Sequence, residues 1–299
     1  MNNAMGLKLQ PQRPLFAVEL DGINLRQTFG KEQIDEIVAA LEKFAVGIVR
    51  QDAPLTDAEH IAFSLYLGPI ERKNVLTVSD SGKNRLDNFE IIDQSNLDET
   101  GNIYSDTDRR LAFKRANRLW HTDMSFHSNR ATYSLLSAVL LPFDGGPKTE
   151  FTDMRAAYDA LSQKMKNLLT GLVAEHSYWY SRVAGGGPKA TTEELASRPP
   201  AQHSLVHERG GRKALYLASH ASHIVGWSPD ESRELLDELM TFATQKQFIY
   251  EHSWQTGDVV IWDNLVTMHR ARPFDDRVEV RDVRRTTCRE IDPLTIEGS

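Results

Sequence analysis

One cysteine, Cys288, stands in 299 residues. A lone thiol excludes an intramolecular disulfide, and with ten histidines beside it the chain suits a reducing compartment. An excess of basic residues is missing too. The net charge of -7 argues against non-specific nucleic-acid binding, which needs a basic surface. No apolar run approaches the roughly 20 residues that span a bilayer. Met1 to Pro14 has no apolar stretch of the secretory kind, so a cytoplasmic location is expected. Internal repeats and a linker between two cores are absent as well, which predicts one domain over residues 1–299. At 40% hydrophobic and 26% charged residues, the chain has ample material for a core.

The stretch around which the rest is organised is Leu119-Trp120-His121-Thr122-Asp123-Met124-Ser125-Phe126. On an extended strand, residues two apart share a face, so His121 and Asp123 converge on one point. A His-x-Asp alone is common by chance. Asp123, however, sits among large apolar residues, where an ionised carboxylate is costly to bury without a cation or strong partner. A third ligand, His269, follows the apolar run Val259 to Trp262 and a turn over Asp263-Asn264. Two imidazoles and one carboxylate on one face of a metal form the facial triad of non-haem Fe(II) oxygenases. Near the C-terminus, strand alternation puts Arg281 and Arg285 on one face. Paired guanidiniums grip carboxylates bidentately.

Elsewhere the pattern reads as strands and amphipathic helices. Phe16 to Leu25 is a strand closed by a turn, and Ile34, Ile37, Val38 and Leu41 follow helical spacing. Ala45 to Val49 is a short buried strand, and Thr56 to Glu59 is a capping box. Residues 72–118 lose this regularity and read as a loop over the site, with a basic end that includes Lys114 and Arg118. Tyr133 to Leu141 and Thr149 to Phe151 are strands, and a helix runs from Asp153 to Leu169. A Gly/Pro-rich loop follows at 185–200. Leu205 to His207 and Ala214 to Leu217 form a strand pair, and Ser228-Pro229-Asp230-Glu231 opens a helix. Phe248 to Trp254, Asp258 to Trp262 and Val280 to Thr287 are strand-like. This inventory predicts a β-sandwich or barrel packed by helices.

Taken in order, these motifs resemble the Fe(II)/2-oxoglutarate-dependent dioxygenases of the taurine dioxygenase family, and within it the 2,4-dichlorophenoxyacetate enzymes. The likeness covers nearly the whole chain. It rests on residues 119–126, Gly145-Gly146 with 149–161, 215–223, Trp262-Asp263-Asn264 with Met268-His269-Arg270, and 281–287. The resemblance implies a double-stranded β-helix (jelly roll) core, mainly β with helices packed outside. It implies His121, Asp123 and His269 as iron ligands, with Thr149 and Arg281 on the distal carboxylate of 2-oxoglutarate. Arg285, His207 and His223 match family positions that hold substrate. Fe(II), 2-oxoglutarate and O2 are the implied cofactor and cosubstrates, and relatives commonly self-associate. The implied reaction hydroxylates a small organic acid, with succinate and CO2 as coproducts. For a phenoxyalkanoate of the 2,4-D type, attack at the ether carbon yields a phenol and glyoxylate, a step in aromatic compound degradation. A taurine or alkylsulfonate dioxygenase with the same iron site remains an alternative, as does a metal-binding jelly-roll protein that senses a carboxylate. Residues 72–118 and 178–200 depart most from the family pattern.

Overall fold

The computed structural model describes residues 6–72, 85–143 and 146–290. The N-terminal part holds β1 (Lys8–Arg13), β2 (Phe16–Asp21), α1 (Lys31–Phe44), β3 (Val46–Arg50), α2 (Asp57–Ser64) and β4 (Ile92–Asp93). Next come α3 (Arg109–Arg115), β5 (Ala131–Leu140), β6 (Thr149–Asp153), α4 (Met154–Ala160) and α5 (Gln163–Leu169). The middle adds β7 (Val173–His176), α6 (Tyr178–Ala184), α7 (Thr192–Ser197), β8 (Ala201–Ser204), β9 (Val206–Arg209), β10 (Arg212–Leu215) and β11 (Ala221–Ile224). The chain closes with α8 (Pro229–Ala243), β12 (Ile249–His252), β13 (Asp258–Asp263), β14 (Thr267–Ala271) and β15 (Asp282–Arg289).

Seven strands form the main sheet in the order β1-β2-β3-β13-β5-β15-β4. A smaller sheet, β12-β6-β14, carries the second layer. Alternation along the central strands divides the apolar residues between two cores. In β13, Val260 and Trp262 join Leu136 and Ala138 of β5 and Phe151 and Met268 of the small sheet. Val259 and Ile261 point the other way, onto Ile37, Leu41 and Phe44 of α1, Phe63 of α2, and Cys288. The result is the expected jelly roll: two sheets facing across an apolar filling, with helices packed outside. Among the described residues no helix is long and apolar enough to cross a membrane.

Helix starts follow the capping chemistry read from the residues. Thr56 and Ser228 each accept from the backbone N–H three residues on, while Glu59 and Glu231 reach back. Three expectations change. The helix expected from Asp153 to Leu169 is two helices, because Leu161 is extended and Ser162 caps α5 afresh through the Met165 N–H. The 72–118 stretch holds β4 and α3 in its described part, whereas residues 73–84 lie outside the described residues. The region expected as loop after Tyr178 carries α6 and α7, capped by Ser177 and Thr191.

Candidate active site

Backbone pairing brings the three expected ligands together. His121 forms an isolated antiparallel bridge with His269 of β14, His121 N–H to His269 C=O at 3.0 Å and the reverse bond at 2.7 Å. His121 is therefore not on a strand of its own. A turn opens at Asp123, and Met124 at φ 56° carries the chain away beyond it. Ligand-capable atoms of His121, Asp123 and His269 all lie within 4.8 Å of one another, and the residues are buried. The two imidazole rings are 4.2 Å apart, centre to centre.

The electrostatics suit a divalent cation. Burial pushes the His121 imidazole down to about 4 and that of His269 well below its ordinary value, so both are neutral and basic nitrogens face the centre. The Nδ1 of His121 meets the Leu119 carbonyl at 2.7 Å, which fixes the tautomer and leaves Nε2 for a metal. The Nδ1 of His269 is buried without a hydrogen-bond partner. Burial raises the Asp123 carboxyl, but the Arg285 guanidinium and the hydrogen bond from the Ser134 hydroxyl lower it, and the group is held below its ordinary value. Neutral nitrogens, an orphaned nitrogen and a buried carboxylate fit Fe(II), with open positions left on the metal.

Beside the triad lies a cavity lined by His121, His269, Thr149, Trp262, Arg281 and Arg285, with Lys114 and Arg118 among its outer residues. Arg281 is 7% exposed, and no ion pair or side-chain hydrogen bond is found for it among the described residues. Burial alone drops its guanidinium to about 10. Thr149 Oγ1 accepts from the Trp254 indole at 3.0 Å, which leaves its own proton for a second partner.

The family model described as "Taurine catabolism dioxygenase TauD, TfdA family" matches residues 8–287. The chain belongs to the TauD/TfdA family. It is 38% identical to the alpha-ketoglutarate-dependent 2,4-dichlorophenoxyacetate dioxygenase of Cupriavidus pinatubonensis, over 95% of this chain and 98% of that one. With the (S)-phenoxypropionate/alpha-ketoglutarate dioxygenase of Sphingobium herbicidovorans the identity is 34%, over 89% of this chain and 90% of that one. The crystal structure of AAD-2 in complex with Mn(II) and N-oxalylglycine superposes with a TM-score of 0.86 at 37% identity, covering 97% and 98% of the two chains. This TauD/TfdA protein is accordingly a 2-oxoglutarate-dependent dioxygenase that uses iron, and the carboxylate-sensor reading is set aside.

Other expected site residues lie apart. His207 sits on β9, its Nδ1 3.4 Å from Arg130, and His223 on β11 contacts Ser222 and Glu175. Neither lines the cavity around the triad. Arg285 does line it, and its guanidinium pairs with Asp123. In the Gly145-Gly146 motif, Gly145 lies outside the described residues.

Two supporting residues had no role assigned from the sequence. Asn264 Oδ1 accepts from the Asp123 N–H at 3.1 Å and the Trp262 indole at 2.9 Å, and its amide donates to Ser134 Oγ at 2.9 Å. Ser134 in turn donates to Asp123 Oδ2 at 2.7 Å. The signal was a polar side chain on the inward face of an apolar strand and another directly after one, each costly to bury unless bonded.

Proposed function

We propose that this dioxygenase hydroxylates a small organic acid, and that the acid is a phenoxyalkanoate attacked at the carbon next to the ether oxygen. His121, Asp123 and His269 hold the iron. Thr149 and Arg281 take the distal carboxylate of 2-oxoglutarate, and Arg285 takes part in holding the substrate's acid group. When bound, Fe(II) supplies dioxygen activation coupled to oxidative decarboxylation of 2-oxoglutarate. The residues do the rest. Arg281 waits in the cavity as a desolvated cation that only an anion satisfies, and Thr149 orients that anion by its free hydroxyl proton. Trp262, Leu136 and the buried histidines exclude water from the reacting carbon. For a phenoxyacetate, hydroxylation beside the ether oxygen gives a hemiacetal, which falls apart to a phenol and glyoxylate.

The observation that carries this reading is the buried, unpaired Arg281 in the same cavity as the triad. Relatives named for 2,4-dichlorophenoxyacetate and phenoxypropionate favour the phenoxyalkanoate as substrate. Succinate release from the Fe(II)-loaded protein tests it, with phenoxyacetates compared against taurine, alkylsulfonates and alkyl sulfates. Phenoxyacetate-dependent succinate and phenol are expected. Succinate release driven only by the sulfonates or sulfates would move the substrate assignment to that class.

A further inference from the structure

Both residues assigned to the distal carboxylate of 2-oxoglutarate meet one tryptophan. β12 pairs with β6 so that His252 lies opposite Thr149, and β14 flanks Thr149 on the other side through Ala271. Two residues beyond the end of β12 the chain delivers Trp254, 3% exposed, to this part of the structure. Its indole N–H donates to Thr149 Oγ1 at 3.0 Å, and its ring centre lies 6.0 Å from the Arg281 guanidinium. Thr149 and Arg281 line the cavity beside the triad, and Trp254 stands directly behind them.

The seat of Trp254 is built from outside. His252 packs edge-on against its ring, 4.6 Å between centres and 89° between planes. The Nε2 of His252 meets Asp258 Oδ2 at 3.0 Å, and the Gln255 N–H donates to the same oxygen at 2.9 Å. Arg50 donates to both Asp258 oxygens, at 2.9 and 3.0 Å. Gly257, at φ 92°, closes the turn so tightly that a Cβ there would collide with the Gln51 carbonyl. A ring held this firmly gives its one donor a fixed direction. The indole nitrogen donates only, so the Thr149 oxygen accepts, and the proton of that hydroxyl finds no acceptor among the described residues. An O–H whose oxygen already accepts a hydrogen bond is the stronger donor. Arg281 has donors only, and together the two residues suit a carboxylate.

Resting on the assignment of Thr149 and Arg281 to 2-oxoglutarate above, we propose that Trp254 is a positioning residue that makes this end of the cavity selective for an anionic terminus on the cosubstrate. Its N–H orients and strengthens Thr149 as a donor, while its ring supports the Arg281 cation beside the same group. An oxo acid of equal length that ends in a methyl group leaves both donors unpaired, and Trp254 then contributes nothing to its binding.

Binding to the full chain loaded with Mn(II) reads this without turnover. Isothermal titration compares N-oxalylglycine with N-ethyloxamate, in which a methyl group replaces the distal carboxylate. The proteins are wild type, Trp254→Phe, Thr149→Val and the double variant. Trp254→Phe keeps an aromatic ring near Arg281 and removes the N–H. It is expected to weaken N-oxalylglycine about three- to tenfold and N-ethyloxamate by less than about twofold. In the Thr149→Val background the same substitution should add nothing. Equal losses for the two ligands, no loss for N-oxalylglycine, or losses that simply add in the double variant overturn the role of Trp254. Should Trp254→Phe not fold, benzothienylalanine at position 254, which exchanges the N–H for sulfur in a ring of nearly the same shape, carries the same comparison. A loss in Thr149→Val with none in Trp254→Phe overturns the role of Trp254 alone. Thr149→Val that binds N-oxalylglycine as tightly as wild type overturns the assignment of Thr149 to 2-oxoglutarate, and the role of Trp254 with it. Failure of the wild type to bind N-oxalylglycine overturns both.

Discussion

Replacing Arg281 by Met should make the empty protein more stable and the working enzyme worse. The guanidinium of Arg281 is buried, finds no carboxylate among the described residues and is lowered by burial from 12.5 to about 10. That difference corresponds to about 3 kcal/mol of uncompensated desolvation. The cation lies 6.0 Å from the Trp254 ring, a contact that returns about 0.5–1 kcal/mol. Met keeps the aliphatic stem and removes the charge, so a gain of about 2 kcal/mol is expected in the metal-free, ligand-free state. In a chain of this size this amounts to a Tm rise of about 3 °C by calorimetry. With ligand the sign reverses. A lost charge-assisted pair costs about 1.5–3 kcal/mol, so the 2-oxoglutarate KM should rise about 10- to 100-fold while the prime-substrate KM moves little. The thermal stabilisation that 2-oxoglutarate confers on the metal-loaded wild type should also shrink. A variant less stable than wild type when empty, or one with an unchanged 2-oxoglutarate requirement, refutes the reasoning.

Three further outcomes are expected. Asp123→Asn should abolish metal uptake, measured by titration, and lower Tm because it strands the buried Arg285; about 3 kcal/mol is at stake, and Asp123→Asn/Arg285→Met should regain part of it. Asn264→Leu leaves the Trp262 indole and the Asp123 N–H without their acceptor, and should cost about 1–3 kcal/mol per orphaned donor together with about 10- to 100-fold in metal affinity. Stability should fall on acidification: burial depresses His60 to about 4 and His176 to about 3, so below pH 6.5 the unfolded chain binds protons that the folded chain refuses. Each of these histidines then withdraws about 3 kcal/mol between pH 6.5 and 4, and a flat denaturant midpoint over that window would contradict their burial.

Much of this was legible in the residues, and the exceptions share a cause. The unbroken apolar run Val259–Trp262 read as a strand, and it lies at the centre of the main sheet, buried on both faces. The caps at Thr56 and Ser228 marked helix starts because their chemistry is local. His121, Asp123 and His269 were also readable, since a carboxylate among apolar residues demands a partner. The turn that carries the chain away after Asp123 was not, because the positive φ of Met124 falls on a residue with no turn signature. For His207 and His223 the difficulty is register. A residue's position along β9 or β11 says nothing about which neighbouring strand it faces until the sheets are assembled.

The placement of Cys288 has a practical consequence. Its thiol lies in the core between the main sheet and α1 and α2, donates to the Ser64 carbonyl at 3.3 Å, and is pushed up to about 12 by burial. Thiolate is therefore withheld from any oxidant released a sheet's thickness away, and from alkylating reagents added to the folded protein. The same silence makes the residue a reporter. Iodoacetamide labelling at this one position should proceed only as fast as the α1/α2 layer lifts from the sheet, which gives a clock for that opening without any introduced probe.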